Sequence, residues 1–131
     1  MYEYHARILS VYDGDTMRMD IDVGFGVTLR DQRVRLAGVD TPELRGKERE
    51  AGLNARDFVR KLVLRRTVMV QTFRDTTGKF GRWVVKVWIA PEGEKVGETT
   101  EGLILLNDLL IKTGHARGYD GESRRASTAV S

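Results

Sequence analysis

Apolar and polar residues alternate along the first third of the chain with the period of a strand. From Asp15, the stretch DTMRMDIDV puts Met17, Met19, Ile21 and Val23 on one face and Arg18, Asp20 and Asp22 on the other. Gly24 and Gly26 bracket Phe25, a signal for a turn or bulge. VTLRDQRVRLAGV then resumes the alternation, with Val34 and Leu36 opposite Arg33 and Arg35. Two or three antiparallel strands follow from this pattern. The period changes at about Glu48. From there to Leu64, Ala51, Ala55, Phe58, Val59 and Leu62 recur at helical spacing with charges between them, which predicts an amphipathic helix.

RTVMVQTF and WVVKVWIA are two further strand candidates, separated by RDTTGKFGR, a glycine-bearing turn. In the second, Trp83, Val85, Val87 and Ile89 share a face, and Arg82 falls on the face of Lys86. PEGEKVGETTEG reads as a polar loop or hairpin extension. LILLNDLLIKTG predicts a short apolar helix starting near Asn107, with Gly114 as its C-terminal cap. The order β-β-β-α-β-β-α predicts an α+β fold, a five-stranded OB-like Greek-key β-barrel with two to three helices. One domain is expected over residues 1–120. The small, polar segment GESRRASTAVS over 121–131 is expected to be a disordered tail.

Length agrees with this count, since 131 residues suffice for one core and not comfortably for two. The 40% apolar and 31% charged shares are those of an ordinary globular protein. A formal net charge of +3 is compatible with nucleic acid without specifying a site. The chain has no cysteine, which excludes disulfides, thiolate metal sites and a cysteine nucleophile. MYEYHARILSVYDGD lacks the apolar core of a signal peptide, and no run reaches the length of a membrane span. A cytoplasmic location without a membrane partner is therefore expected, unless an export signal has been removed.

Two short acidic motifs raise the question of chemistry. In AGVDTPE, residues 37–43, Asp40 or Thr41 reads as a helix N-cap, Pro42 as the first helical residue and Glu43 as an acid favoured by the helix dipole. The same two carboxylates also suit a site that binds a cation or moves a proton. DGDT, residues 13–16, reads first as a tight turn. Yet Asp15 shares the apolar face of Met17 and Met19, where an unpaired carboxylate would be costly without a cation or several donors. Arg35 and Arg82 each lie opposite their strand's apolar set. Each is a solvated surface arginine on the simpler reading, and a phosphate fork on the other. Acids, a hard cation and arginines together are what phosphodiester hydrolysis requires.

DGDT, then RLAGVDTPE, an amphipathic helix, KFGR, and a late helix ending in Gly before HAR resemble the staphylococcal nuclease (thermonuclease) family in order and local sequence, over residues 6–120. The resemblance implies an OB-type barrel and a Ca²⁺-dependent endonuclease that cleaves DNA and RNA, single-stranded or unpaired in preference, leaving 3′-phosphates. Position by position, it implies that Asp15, Asp40 and the carbonyl of Thr41 bind the metal, with Asp13 supporting. Glu43 would activate water, and Arg35 and Arg82 would grip the scissile phosphate. Phe80 and Tyr119 fall where the family contacts substrate, and Lys79, in the turn, either sits near a phosphate or is simply solvated.

The chain also departs from the family. Phe80 replaces a phosphate-contacting tyrosine, and Tyr119 is the sole aromatic where the family has a pair. His5 and His115 have no ligand-like spacing. A monomer is expected. The competing function is a non-catalytic OB-like module that binds nucleic acid or protein.

Overall fold

The computed structural model describes residues 2–73 and 83–118. Its frame is a closed five-stranded barrel built from β1 (Tyr2–Asp13), β2 (Thr16–Asp22), β3 (Thr28–Leu36), β5 (Thr67–Phe73) and β6 (Trp83–Ile89). Antiparallel pairing runs β3-β2-β1-β5-β6, and a parallel pairing of β3 with β6 closes the ring. Closure removes the open sheet edges that a five-stranded sheet would otherwise expose. The expected α+β, OB-like barrel is thus the observed fold.

The inward faces follow the alternation. Met17, Met19, Ile21, Val34, Leu36, Val85, Val87 and Ile89 are buried in one cluster. Trp83 departs from its apolar set. At the start of β6 it is exposed, because the barrel wall begins there. The strand Tyr2–Asp13, which the alternation does not mark, lies between β2 and β5. Its pairing with β2 shifts register between Ile8 and Ser10 and again between Val11 and Asp13. These bulges put its buried residues, Ala6, Ile8 and Val11, out of strict alternation.

Helix α1 (Arg49–Val63) follows a one-turn 3₁₀ segment, Gly46–Glu48. Its buried stripe is Gly52, Ala55, Val59 and Val63, with Phe58 and Leu62 packed at the margin of the core. Ala51, expected on that stripe, is exposed. The stripe is displaced by one residue because Gly52 faces the loop that precedes the helix. Two short strands, β4 (Val39–Asp40) and β8 (Arg117–Gly118), pair beside the barrel, and β7 (Ile104–Leu105) pairs antiparallel with the end of β6.

Helix α2 (Leu106–Lys112) buries Leu106, Asn107 and Leu110. It ends at Gly114 (φ 80°), whose left-handed conformation lets the N–H groups of His115 and Ala116 donate to Leu110 O. Asn107, 3% exposed, is the polar pin of this helix. Its Oδ1 accepts from Val87 N at 3.0 Å, and its Nδ2 donates to Ala37 O at 2.8 Å and Val85 O at 3.2 Å. Asn107→Leu strands the buried Val87 N–H and the Ala37 carbonyl, so stability should fall by about 2–4 kcal/mol in urea titration. A loss under about 0.5 kcal/mol would show that water replaces the amide.

No described helix is long and apolar enough to cross a membrane. The turn 74–82 and the tail 121–131 lie outside the described residues.

Candidate functional site

The two acidic motifs meet at one end of the barrel. DGDT forms the β1–β2 turn, so the turn reading holds, with Asp15 N donating to Asp13 Oδ1 at 3.1 Å. The same turn points Asp15 inward, 6% exposed, as the parity of β2 requires. Its Oδ1 accepts from Thr16 Oγ1 at 3.1 Å and its Oδ2 from Thr41 N at 3.0 Å. The AGVDTPE segment leaves β3 through a turn at Gly38, forms β4 and reaches Thr41 directly over DGDT. It does not cap the helix. Asp40 is in β4, and Gly46–Glu48 separates Pro42 from α1. A rigid strand-to-loop exit, rather than a helix start, therefore aims these acids.

Arg35 lies on the outer face of β3 between buried Val34 and Leu36, opposite Thr16 in the β2–β3 register. Its Nη1 donates to Val39 O at 3.0 Å and Leu36 O at 3.2 Å, clamping the turn that carries Asp40. Its Nη2 lies 3.5 Å from Asp40 Oδ1 and 3.7 Å from Asp15 Oδ2. One half-buried guanidinium thus bridges the two motifs. Asp13 adds a third acid. Burial, and then the hydrogen bond and negative charge of Asp15, push its carboxyl up to about 7.

The donor set is oxygen throughout, the kind a hard divalent cation takes. Thr41 Oγ1, beside Asp15, is buried without a hydrogen-bond partner among the described residues. Among the described residues Asp15 and Asp40 share one arginine, and Asp13 resists ionising beside Asp15. An added cation would relieve both, so the residues fit one. Among the described residues no three His, Cys, Asp or Glu side chains form a ready-made cage, so water or substrate must complete any shell.

Glu43 stands apart. Its carboxylate is 68% exposed and lies 3.6 Å from Arg45 Nε in solvent. Its backbone is held instead, with Glu43 N donating to Glu48 Oε1 at 3.0 Å. Gly52 fixes the same loop from α1. A Cβ there would lie 2.9 Å from Pro42 O and would press on the Glu43 carbonyl. Sequence reading missed this residue, although a glycine inside a helical pattern was the available signal.

Gly52→Ala gains roughly 1 kcal/mol of helix propensity and loses about 1–3 to overpacking. The net change, from about zero to a loss of about 2 kcal/mol, should lower the melting temperature by up to several degrees. Any activity should fall disproportionately, about 10²-fold for an ångström of displacement at Glu43. Unchanged kcat in a folded Gly52→Ala protein would show that the loop yields freely.

The remaining candidates divide simply. Arg82, Lys79, Phe80 and Tyr119 lie outside the described residues. Both histidines have structural partners. His5 Nε2 meets Gly97 O at 2.7 Å, and His115 stacks on Phe58 with centroids 4.1 Å apart. Two clefts flank the acids. One, of about 760 Å³, is bordered by Asp13, Thr16 and Leu44. The other, of about 440 Å³, is bordered by Asp40, Thr41 and Arg117.

Residues 33–129 match the family model described as Staphylococcal nuclease homologue. The chain belongs to that family. Among its relatives, a Staphylococcus intermedius thermonuclease is 35% identical over 71% of this chain and 54% of its own length. A Staphylococcus hyicus thermonuclease is 27% identical over 88% of the chain and 59% of its length. An uncharacterized Methanocaldococcus jannaschii protein is 25% identical over 88% and 59%. The chain thus spans little more than half the length of these curated relatives. In this staphylococcal nuclease homologue, the match includes Arg35, Asp40, Thr41 and Glu43, whereas DGDT precedes it.

Proposed function

We propose that this chain is a Ca²⁺-dependent nuclease that hydrolyses DNA and RNA, cleaving the bond to the 5′-oxygen and leaving 3′-phosphates. The observation that carries the reading is the convergence of Asp15, Arg35, Asp40 and Thr41, with one guanidinium within 4 Å of two carboxylates that lie 25 positions apart in the chain.

Asp15, Asp40 and the carbonyl of Thr41 are the residues that would hold the cation, with Asp13 behind them. When bound, the ion supplies charge neutralisation and polarisation of the phosphate. Arg35, joined by Arg82, donates to the non-bridging oxygens and favours the extra charge of the transition state. Glu43 accepts the proton of the attacking water, whose oxygen bonds to phosphorus as the bond to the 5′-oxygen breaks. That oxygen leaves with the bonding electron pair and takes a proton from solvent water, while Glu43 returns its own proton to solvent. The exposure of Glu43 suits this task, since it must meet water and substrate together.

Digestion of single-stranded DNA with calcium and with EGTA tests the reading. Cleavage should need calcium and stop with EGTA. With few protein ligands, calcium alone should bind weakly, with Kd on the order of 10⁻⁴–10⁻³ M. Sub-micromolar calcium binding by calorimetry, or cleavage that survives EGTA, would overturn it. Tight DNA binding without hydrolysis in millimolar calcium would replace it with the binding-module reading.

A further inference from the structure

The larger cleft beside the site is lined by arginines that the scissile phosphate does not need. Arg18 and Arg33 enter it from β2 and β3, and Arg56 and Arg60 from α1. Arg18 and Arg33 are direct cross-strand partners. Arg56 and Arg60 are four apart on one helix. Like charges in either arrangement destabilise the fold slightly. Neutralisation is incomplete. Arg18 pairs with Asp31 at 2.9 Å and Arg56 with its neighbour Asp57 at 3.0 Å. Arg60 donates to the Val11 carbonyl at 2.9 Å, and the Arg33 side chain is exposed with no ion pair or hydrogen bond among the described residues.

This cleft borders the candidate site. Asp13 and Thr16 border it, Thr16 pairs across the sheet with Arg35, and Leu44 adjoins Glu43. Along β3, Arg33 and Arg35 occupy the same outer face two residues apart, about 6.6–6.8 Å of strand. That spacing suits successive phosphates of an extended strand. At the rim, Tyr12 is 69% exposed and can present its ring to a base.

We infer that the cleft walled by Arg18, Arg33, Arg56 and Arg60 is a second subsite, which holds the phosphodiester backbone of a single-stranded nucleic acid as it leaves the scissile position, with Tyr12 stacking on a base. The inference rests on the nuclease reading for the direction of the chain, but its test does not depend on cleavage.

The probe is a fluorescein-labelled, hydrolysis-resistant phosphorothioate oligonucleotide, two or eight nucleotides long, followed by anisotropy over a salt series with the full chain in EDTA. The octamer should bind more tightly than the dimer. In Arg18→Gln/Arg33→Gln that gain should shrink about 10-fold, and the slope of log K against log salt should become shallower by roughly 0.7–1 per arginine. The double lysine variant, which keeps the charges, should recover the slope. Tyr12→Ala should weaken binding about 10-fold at unchanged slope. Lys112→Gln, outside the cleft, should match the wild type.

Wild-type affinity and slope in a folded Arg18→Gln/Arg33→Gln protein would overturn the subsite. So would equal displacement of the octamer by polyglutamate of matched charge, which would make the cleft a general polyanion or acidic-peptide site. If the chain fails to cleave DNA yet the slopes change as stated, the nuclease reading falls and the subsite stands. If it cleaves and the slopes do not change, only the subsite falls.

Discussion

Glu43→Gln is expected to lower phosphodiester cleavage by roughly 10²–10⁴-fold, the range for a lost general base, while the melting temperature barely moves. The two effects separate because the side chain and backbone of Glu43 have different jobs. The carboxylate lies in solvent beside Arg45, and an exposed pair of that kind contributes little to stability. The loop is held by the Glu43 N–H on Glu48 Oε1 and by the close approach of Gly52, neither of which the substitution touches. Calcium affinity, read by calorimetry, should also persist, because Asp15, Asp40 and Thr41 are unaltered. A Glu43→Gln enzyme within three-fold of wild-type kcat would remove Glu43 from the chemistry. A variant that lost calcium binding would instead make it a ligand.

The paired faces of the barrel were legible because side-chain parity is a local property. The inward Asp15, the outward Arg35 and the buried Val34 and Leu36 all follow from period two. What parity could not reveal was long-range. Strand β1 hides behind two register shifts, and β4 is two residues long and exists only through β8. The capping reading of Asp40-Thr41-Pro42 was locally sound, but a tertiary pairing outweighed it. Ala51 and Gly52 exchange places because a backbone approach, rather than apolar area, sets the face of α1 there. Asn107 sat in an apolar run with nothing local to mark its three bonds to distant backbone groups. Likewise each arginine of the large cleft could be placed on a face from sequence, whereas their convergence depends on where α1 crosses the barrel.

The second large effect is expected at Arg35, where the proposed chemical role falls on a residue that also holds the Asp40 turn. Arg35→Lys keeps one positive charge and removes the fork. An ammonium is a compact point charge, so it cannot reproduce two carbonyl bonds and two carboxylate contacts at once, nor grip a phosphate through paired N–H groups. Loss of a preorganised donor to developing oxyanion charge lowers kcat by about 10²–10³-fold. Unlike Glu43→Gln, this variant should also be less stable without metal. The Val39 and Leu36 carbonyls lose a donor and Asp15, 6% exposed, loses its guanidinium contact, for a penalty of roughly 1–3 kcal/mol. Millimolar calcium should recover part of that loss, because a ligand that binds only the folded state stabilises it by mass action. Stability in urea with and without calcium, read beside kcat, therefore distinguishes the two roles. Wild-type kcat in Arg35→Lys would remove the phosphate fork from the mechanism. Reduced kcat with undiminished metal-free stability would leave the fork and discard the clamp on the Asp40 turn.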